Sequence, residues 1–183
     1  MVEIFAQAIF FFVFLFVGSA FKSGWLDCPA EWSQPQLAEE FEAIRTVRDI
    51  SNKALDLARS KKLIRSSRDA EVAIVTDSRQ LEQLLDHHIQ APSTRERSVE
   101  CSLKNILFVS RVSLSAMEGS QVSKESGQVT YEGETTSVEV MARPAAWSGY
   151  CKCPRCWKYT STVEGTVCDR CRTVEEQMGG HEG

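Results

Sequence analysis

The chain has 183 residues, 43% of them hydrophobic and 25% charged, and a formal net charge of −4. That length holds one ordinary domain plus a small module, and the composition is that of a globular protein. The mildly acidic balance excludes nucleic-acid binding through overall charge.

Residues 1–21 contain an unbroken apolar run over 8–17, dominated by Phe10, Phe11, Phe12, Phe14 and Phe16. Three readings stay open. One is a secretory signal peptide with Gly18, Ser19 and Ala20 at a cleavage site, although Glu3 stands where a basic residue is usual. Another is a membrane span at the short limit, meeting lipid through residues 4–21. The third is an element buried against sequence not contained here, or residues from an unusual start site. A mitochondrial transit peptide is disfavoured, because no Arg precedes Arg45.

Residues 36–64 carry Leu37, Phe41, Ile44, Val47, Ile50, Ala54, Leu57 and Ala58 at spacings of three and four, which predicts one long amphipathic helix. Pro35 precedes it and Ser33 is an available N-cap. Glu39, Glu40 and Glu42 crowd its first turns, and Lys61, Lys62 and Arg65 its far end, as the helix dipole favours. After Ser66 and Ser67 the period changes. Residues 71–76 predict a β-branched strand. Residues 80–89 predict a second helix with Leu81, Leu84, Leu85 and Ile89 on one face and His87 and His88 at its end, as surface or capping residues rather than metal ligands. A polar loop follows over 91–100, then a strand over 104–115 around Ile106, Leu107, Phe108, Val109, Val112 and Leu114. Residues 117–128 read as a connection, 129–131 and 137–142 as a strand pair around Gly133, 144–148 as a linker and 177–183 as a frayed tail. The fold class is α+β: a long helix, a small mixed subdomain with short strands, and a carboxy-terminal module. The segments expected are 1–21 apolar, 22–66 helical, 67–146 the α+β subdomain, 147–175 the module and 176–183 a disordered tail.

The module is defined by Cys153, Cys156, Cys168 and Cys171, two CxxC pairs separated by eleven residues. Four thiolates at this spacing are the ligand set of one structural, tetrahedral Zn²⁺. The competing readings are a disulfide pair or a redox-active CxxC, which needs only one pair between a strand and a helix. Gly165 falls in the connecting stretch, where a small hairpin needs a residue tolerant of positive φ. Cys151 is a fifth thiol separated from Cys153 by one residue, a poorer knuckle, and Cys28 and Cys101 are isolated. The odd total argues for a reducing compartment. Between residues 143 and 172 the cations Arg143, Lys152, Arg155, Lys158, Arg170 and Arg172 face only Glu164 and Asp169, with Trp147, Tyr150, Trp157 and Tyr159 interleaved. That mixture suits phosphate contacts with stacking on a base or ribose. The plainer reading is that Trp157 and Tyr159 cover the metal knuckle.

Three stretches carry a family resemblance. The first is Ala20-Phe21-Lys22-Ser23-Gly24-Trp25 followed by Trp32. The second is 44–67 (IRTVRDISNKALDLARSKKLIRSS) followed by Asp69-Ala70-Glu71-Val72. The third is Cys153-Pro154-Arg155-Cys156-Trp157-Lys158-Tyr159 with Cys168 and Cys171. Over residues 20–175 they resemble the carboxy-terminal end of bacterial and mitochondrial-type isoleucyl-tRNA synthetases. The resemblance implies that 22–66 is the helical end of an anticodon-binding region and 147–175 its closing zinc finger. It implies tRNA(Ile) as partner, no DNA, a monomer and the mitochondrial matrix. Arg155, Trp157, Lys158, Arg170 and Arg172 are the residues expected to meet that tRNA. The family's HIGH and KMSKS signatures, which bind ATP, and its editing domain are in none of these stretches. ATP therefore belongs to the full-length family enzyme, and this chain, read as a fragment or a shortened product, is not expected to be active as an isoleucine–tRNA ligase alone. It departs from the family before Ser19 and at Arg65, where Gly is frequent. The alternative is the zinc-dependent DNA-binding module of a DNA-glycosylase-like repair protein. That reading needs an amino-terminal Pro or Ser nucleophile, where this chain has Val2 and Glu3.

Overall fold

The computed structural model describes residues 29–90, 102–119 and 121–179. The expectations for residues 1–21, Cys28, Cys101 and the loop 91–100 lie outside them. The chain divides into two compact units, Met1–Pro35 and Gln36–Gly183. In the first, the described residues form a 3₁₀ turn, Ala30–Trp32. Among the described residues no helix is long and apolar enough to cross a membrane.

The second unit is built on helix α1 (Pro35–Ser60), whose apolar stripe buries Ala43, Ile44, Val47, Ile50, Ala54, Leu55 and Ala58. Pro35 is itself the first helical residue, where its missing N–H costs nothing. The stripe differs from the predicted one in two places. Leu55 rather than Leu57 is fully buried, and Leu37 and Phe41 stay 43% and 39% exposed. Ser51, buried mid-helix, satisfies its hydroxyl on the Val47 carbonyl at 2.8 Å. The helix ends four residues earlier than predicted. Lys62 takes a left-handed conformation (φ 58°), the Leu63 N–H donates to Ala58 O, and the Lys62 N–H to Arg59 O. These two bonds are a Schellman ending, here with Lys in the position that Gly usually fills.

A four-stranded sheet lies against α1 in the order β2-β1-β4-β3, with β1 (Ala70–Thr76), β2 (Arg111–Ser113), β3 (Ser123–Tyr131) and β4 (Glu134–Pro144). Strand β1 pairs parallel with β2 and antiparallel with β4. It has neighbours on both edges and cover on both faces, which is why its Ala70–Ile74 stretch is continuously buried rather than alternating. Val72 and Ile74 face the main core with α1, while Ala73 joins Met141 and Met117 in a smaller cluster. Strands β3 and β4 form a hairpin closed by Glu132 (φ 51°) and Gly133 (φ 75°). Two successive positive φ values at a two-residue turn define the type I′ geometry that matches strand twist. The Glu132 N–H donates to Glu39 Oε1 of α1 at 2.9 Å, tying helix to hairpin. Helix α2 (Arg79–Gln90) is capped by Ser78, whose hydroxyl accepts from the Leu81 N–H, and buries Leu81, Leu84 and Leu85.

Two predicted elements are corrected. Residues 104–115 are not one strand. They form a single helical turn, α3 (Leu103–Ile106), and then the three-residue β2. Leu103 and Leu107, one turn apart, and Val109 are buried. Phe108 sits between them at φ 57°, with Phe108 N–H to Asn105 O and Val109 N–H to Lys104 O, the same helix ending as after α1. The connection predicted over 117–128 stops at Val122, because β3 starts at Ser123. Gly127 belongs to that strand. A Cβ there would lie 2.7 Å from Ile50 Cδ1 and 2.8 Å from Ile50 Cγ1. Gly127→Ala is therefore expected to destabilise the fold by about 1–3 kcal/mol through overpacking. Pairing it with Ile50→Val should recover part of that in a double-mutant cycle by urea unfolding, whereas additive losses would show that the helix does not touch the strand there.

The remainder comprises a 3₁₀ turn (Ala145–Ser148), a short β5–β6 pair (Cys151–Lys152, Tyr159–Ser161) and helix α4 (Asp169–Gly179). Helix α4 covers part of the stretch expected to fray from Gln177. Gly165 has φ 74° but follows β6, so it serves the turn leading to Cys168 rather than the hairpin itself.

Candidate metal centre and the groove beside it

The first CxxC is a tight knuckle enclosed by β5 and β6. The Cys153 N–H donates to Lys158 O at 2.9 Å and the Trp157 N–H to Cys153 O at 3.0 Å, with Trp157 at φ 64°. The second CxxC opens helix α4. The Arg172 N–H donates to Cys168 O at 2.9 Å, which puts Cys168 at the N-cap and Cys171 in the first turn. There the positive end of the helix dipole favours thiolate. The four Sγ atoms all lie within 4.8 Å of one another, three of the four residues being buried. Cys156 Sγ and Cys168 Sγ are 3.8 Å apart. A tetrahedron with metal–sulfur bonds near 2.3 Å has edges of about 3.8 Å. All four are free thiols, and the spacing fits a shared ion rather than S–S bonds.

The electrostatics fit a cation as well. Burial pushes the Cys153 thiol up, but N–H groups of Cys156, Cys168 and Arg155 donate to its sulfur and bring it down to about 6. Cys168 is also lowered, its burial outweighed by hydrogen bonds from the Thr160 hydroxyl and the Cys171 N–H. Cys171 goes the other way, to about 12, through burial and then its neighbouring sulfurs. Four anionic sulfurs cannot share so small a volume without a counter-charge, so the set can hold a divalent, thiophilic ion and gives up protons when it does. Cys151 lies on β5, outside the cluster. Val167 packs against the sulfurs, and Trp157 is 60% exposed. Lys152 Nζ is 5.8 Å from the Trp157 ring and 5.6 Å from that of Tyr159. His87 and His88 close α2, with His88 edge-on to Phe41, and neither joins a metal-ligating group among the described residues.

Three polar contacts dock the module beside the sheet, on α3 and on the residues that lead into β1 and β2. Lys152 Nζ donates to Asp69 Oδ1 at 2.7 Å, Lys158 Nζ to Asn105 Oδ1 at 2.7 Å, and the Tyr159 N–H to Ser110 Oγ at 2.8 Å. Ser110 Oγ in turn donates to the Arg68 carbonyl. The structure divides the cations singled out from the sequence. Arg143 turns inward to Glu71, and Arg172 pairs with Asp169 at 3.6 Å. Arg155 clamps the module, donating to Cys171 O at 3.0 Å and lying 3.7 Å from Glu175. Lys158 is lowered by burial and then by the nearby charges of Lys104, Arg170 and Arg68. Arg155, Lys158 and Arg170 line one open groove of about 410 Å³ together with Arg68, Asn105 and Phe108. Sequence reading missed Arg68, Asn105 and Phe108 as site residues. Nothing local marks them, and only the docking of the module brings them beside residues some fifty to one hundred positions later.

No protein-family model matches the chain. It is 31% identical over 161 residues to the isoleucine–tRNA ligase of Gloeothece citriformis, covering 85% of this chain and 16% of that protein. To the isoleucine–tRNA ligase of a Synechocystis species it is 31% identical over 180 residues, covering 84% of this chain and 18% of the relative. To that of Acaryochloris marina it is 31% identical over 167 residues, 87% of this chain and 16% of the relative. By sequence, then, this chain is similar over most of its length to a portion of the isoleucine–tRNA ligases that amounts to about a sixth of those proteins.

Proposed function

We propose that the chain is the carboxy-terminal, tRNA-contacting zinc-finger portion of an isoleucine–tRNA ligase, supporting aminoacylation of tRNA(Ile) beside a catalytic body and not catalysing alone. The observation that carries this reading is the coincidence of sequence similarity to these ligases with a four-sulfur cluster bordering a cation-lined groove. Its role is positional. Cys153, Cys156, Cys168 and Cys171 hold one Zn²⁺, the ion stiffens the knuckle and the first turn of α4, and Arg155, Lys158, Arg170 and Arg172 meet RNA phosphates with Trp157 exposed to pack or stack. The cluster suits a reducing compartment and, by the family resemblance, we assign the chain to the mitochondrial matrix; protease protection in isolated organelles tests that.

Contacts to several phosphates release counterions. Binding of tRNA(Ile) is therefore expected to weaken linearly on a log–log plot, with a slope near −0.7 to −0.9 per phosphate contact and about 10- to 1000-fold lost between 50 and 200 mM salt. Filter binding across that range checks it. Salt-independent affinity would contradict the proposal, and displacement by duplex DNA as readily as by tRNA would contradict it and favour a DNA-binding module.

A further inference from the structure

We infer that the groove between α3 and the metal module seats a single unpaired nucleotide of an RNA strand, its base on the face of Phe108 and its phosphates among Arg68, Arg155, Lys158 and Arg170. The inference rests on the RNA-binding reading above and goes further, naming the form of RNA and the seat it occupies.

Three observations carry it. The first is size. A groove of about 410 Å³ falls within the roughly 300–1,000 Å³ of sites that take small ligands, which admits one nucleotide and not a helix. The second is Phe108. Its neighbours Leu107 and Val109 are 2% and 0% exposed, yet Phe108 is 58% exposed. It is held there by a left-handed backbone, φ 57°, costing a bulky L-residue about 1–2 kcal/mol. The helix ending that buries Leu107 and Val109 thus turns the aromatic ring outward, to where it lines the groove with the cations. The third is charge. The lining side chains include four cations and no carboxylate. Two of them are already positioned, Lys158 by Asn105 Oδ1 and Arg155 by Cys171 O, so less side-chain freedom is lost when an anion arrives. A free phosphate would use the cations and leave the ring idle, and a paired base has no exposed face to offer it. An unpaired nucleotide uses both. Cys156 also lines the groove, so the metal ligands shape one of its walls.

The test uses the zinc-loaded full chain and a short single-stranded RNA carrying 2-aminopurine, read by anisotropy and by quenching of the base. Phe108→Ala is expected to lower affinity roughly tenfold and to remove the quenching, because loss of one stacking platform has about that effect. Phe108→Trp should retain both. Arg68→Ala should weaken binding and reduce the salt slope by about one. Both side chains are exposed, so zinc content and melting should stay at the wild-type values. Wild-type affinity and quenching in Phe108→Ala would overturn the inference, as would inorganic phosphate competing as well as adenosine monophosphate. If the wild type binds tRNA with a steep salt slope while Phe108→Ala is indistinguishable from it, the groove assignment fails and the family reading stands. If no RNA binds at all, both fail.

Discussion

Replacing Cys153 by Ser is expected to reduce zinc from one ion per chain to near none and to unfold the module while the sheet survives. The asymmetry follows from where burial lies. The large core joins α1, α2 and the four-stranded sheet and includes no residue of the metal module. The module's own cluster is Cys153, Cys168 and Cys171 with Cys156 and Val167 beside them. Small zinc modules draw roughly 10–16 kcal/mol of apparent folding free energy from the ion, far beyond what one valine and four sulfurs supply by burial. Hydrogen exchange should therefore show lost protection over residues 151–179 and retained protection in β1 and β4. Retained zinc at one per chain in Cys153→Ser would refute the ligand assignment. The pH response has a definite sign. Metal-free Cys171 is pushed up to about 12 and keeps its proton at neutral pH, so zinc entry releases protons. Cys153 sits at about 6, so affinity should fall more steeply once pH drops through that value and protons compete for its sulfur as well.

The next largest effect is expected from Glu71. Its carboxylate is 9% exposed on the central strand. Oε2 accepts from Arg143 Nε at 3.1 Å and Nη2 at 3.0 Å and from the Ser148 hydroxyl, and Arg111 Nε lies 3.6 Å from Oε1. Removing one member of a buried pair leaves the other charge uncompensated, usually at a cost of 3–5 kcal/mol. Arg143 and Arg111 keep 26% and 38% of their side-chain surface, so for Glu71→Ala the lower figure, about 3 kcal/mol, is expected. Glu71→Gln should cost less, since the amide oxygen still accepts. Because Ser148 ends the turn that leads into the module, the Ala variant should also loosen the docking contacts, read as faster exchange at the Tyr159 amide. A loss under about 1 kcal/mol in Glu71→Ala would mean that this network does not hold the two parts together.

The elements legible in the sequence are those with strong local periodicity or turn chemistry. The stripe of α1, the β-branched run of β1, the leucines of α2 and the Gly133 hairpin could be read directly, and so could the two CxxC pairs. The misses share a cause. Both helix endings use a left-handed residue that is not Gly, Lys62 and Phe108, so the usual stop signal is missing. Gly127 resembled loop composition, yet it is a strand residue kept small by Ile50 from a helix far away in sequence. At the site, residue type shows the cations but not their partners. Arg143 is committed to Glu71, Arg155 to α4, and the groove is completed by Arg68 and Phe108 from the sheet domain. Such juxtapositions depend on how the module docks, which no window of sequence contains.

The most direct measurement is zinc K-edge X-ray absorption on the purified full chain. The account predicts one zinc ion with a first shell of four sulfurs at about 2.3 Å and no nitrogen or oxygen ligand. A shell containing nitrogen or oxygen, or a chain that purifies without zinc and whose four thiols alkylate freely, would contradict it.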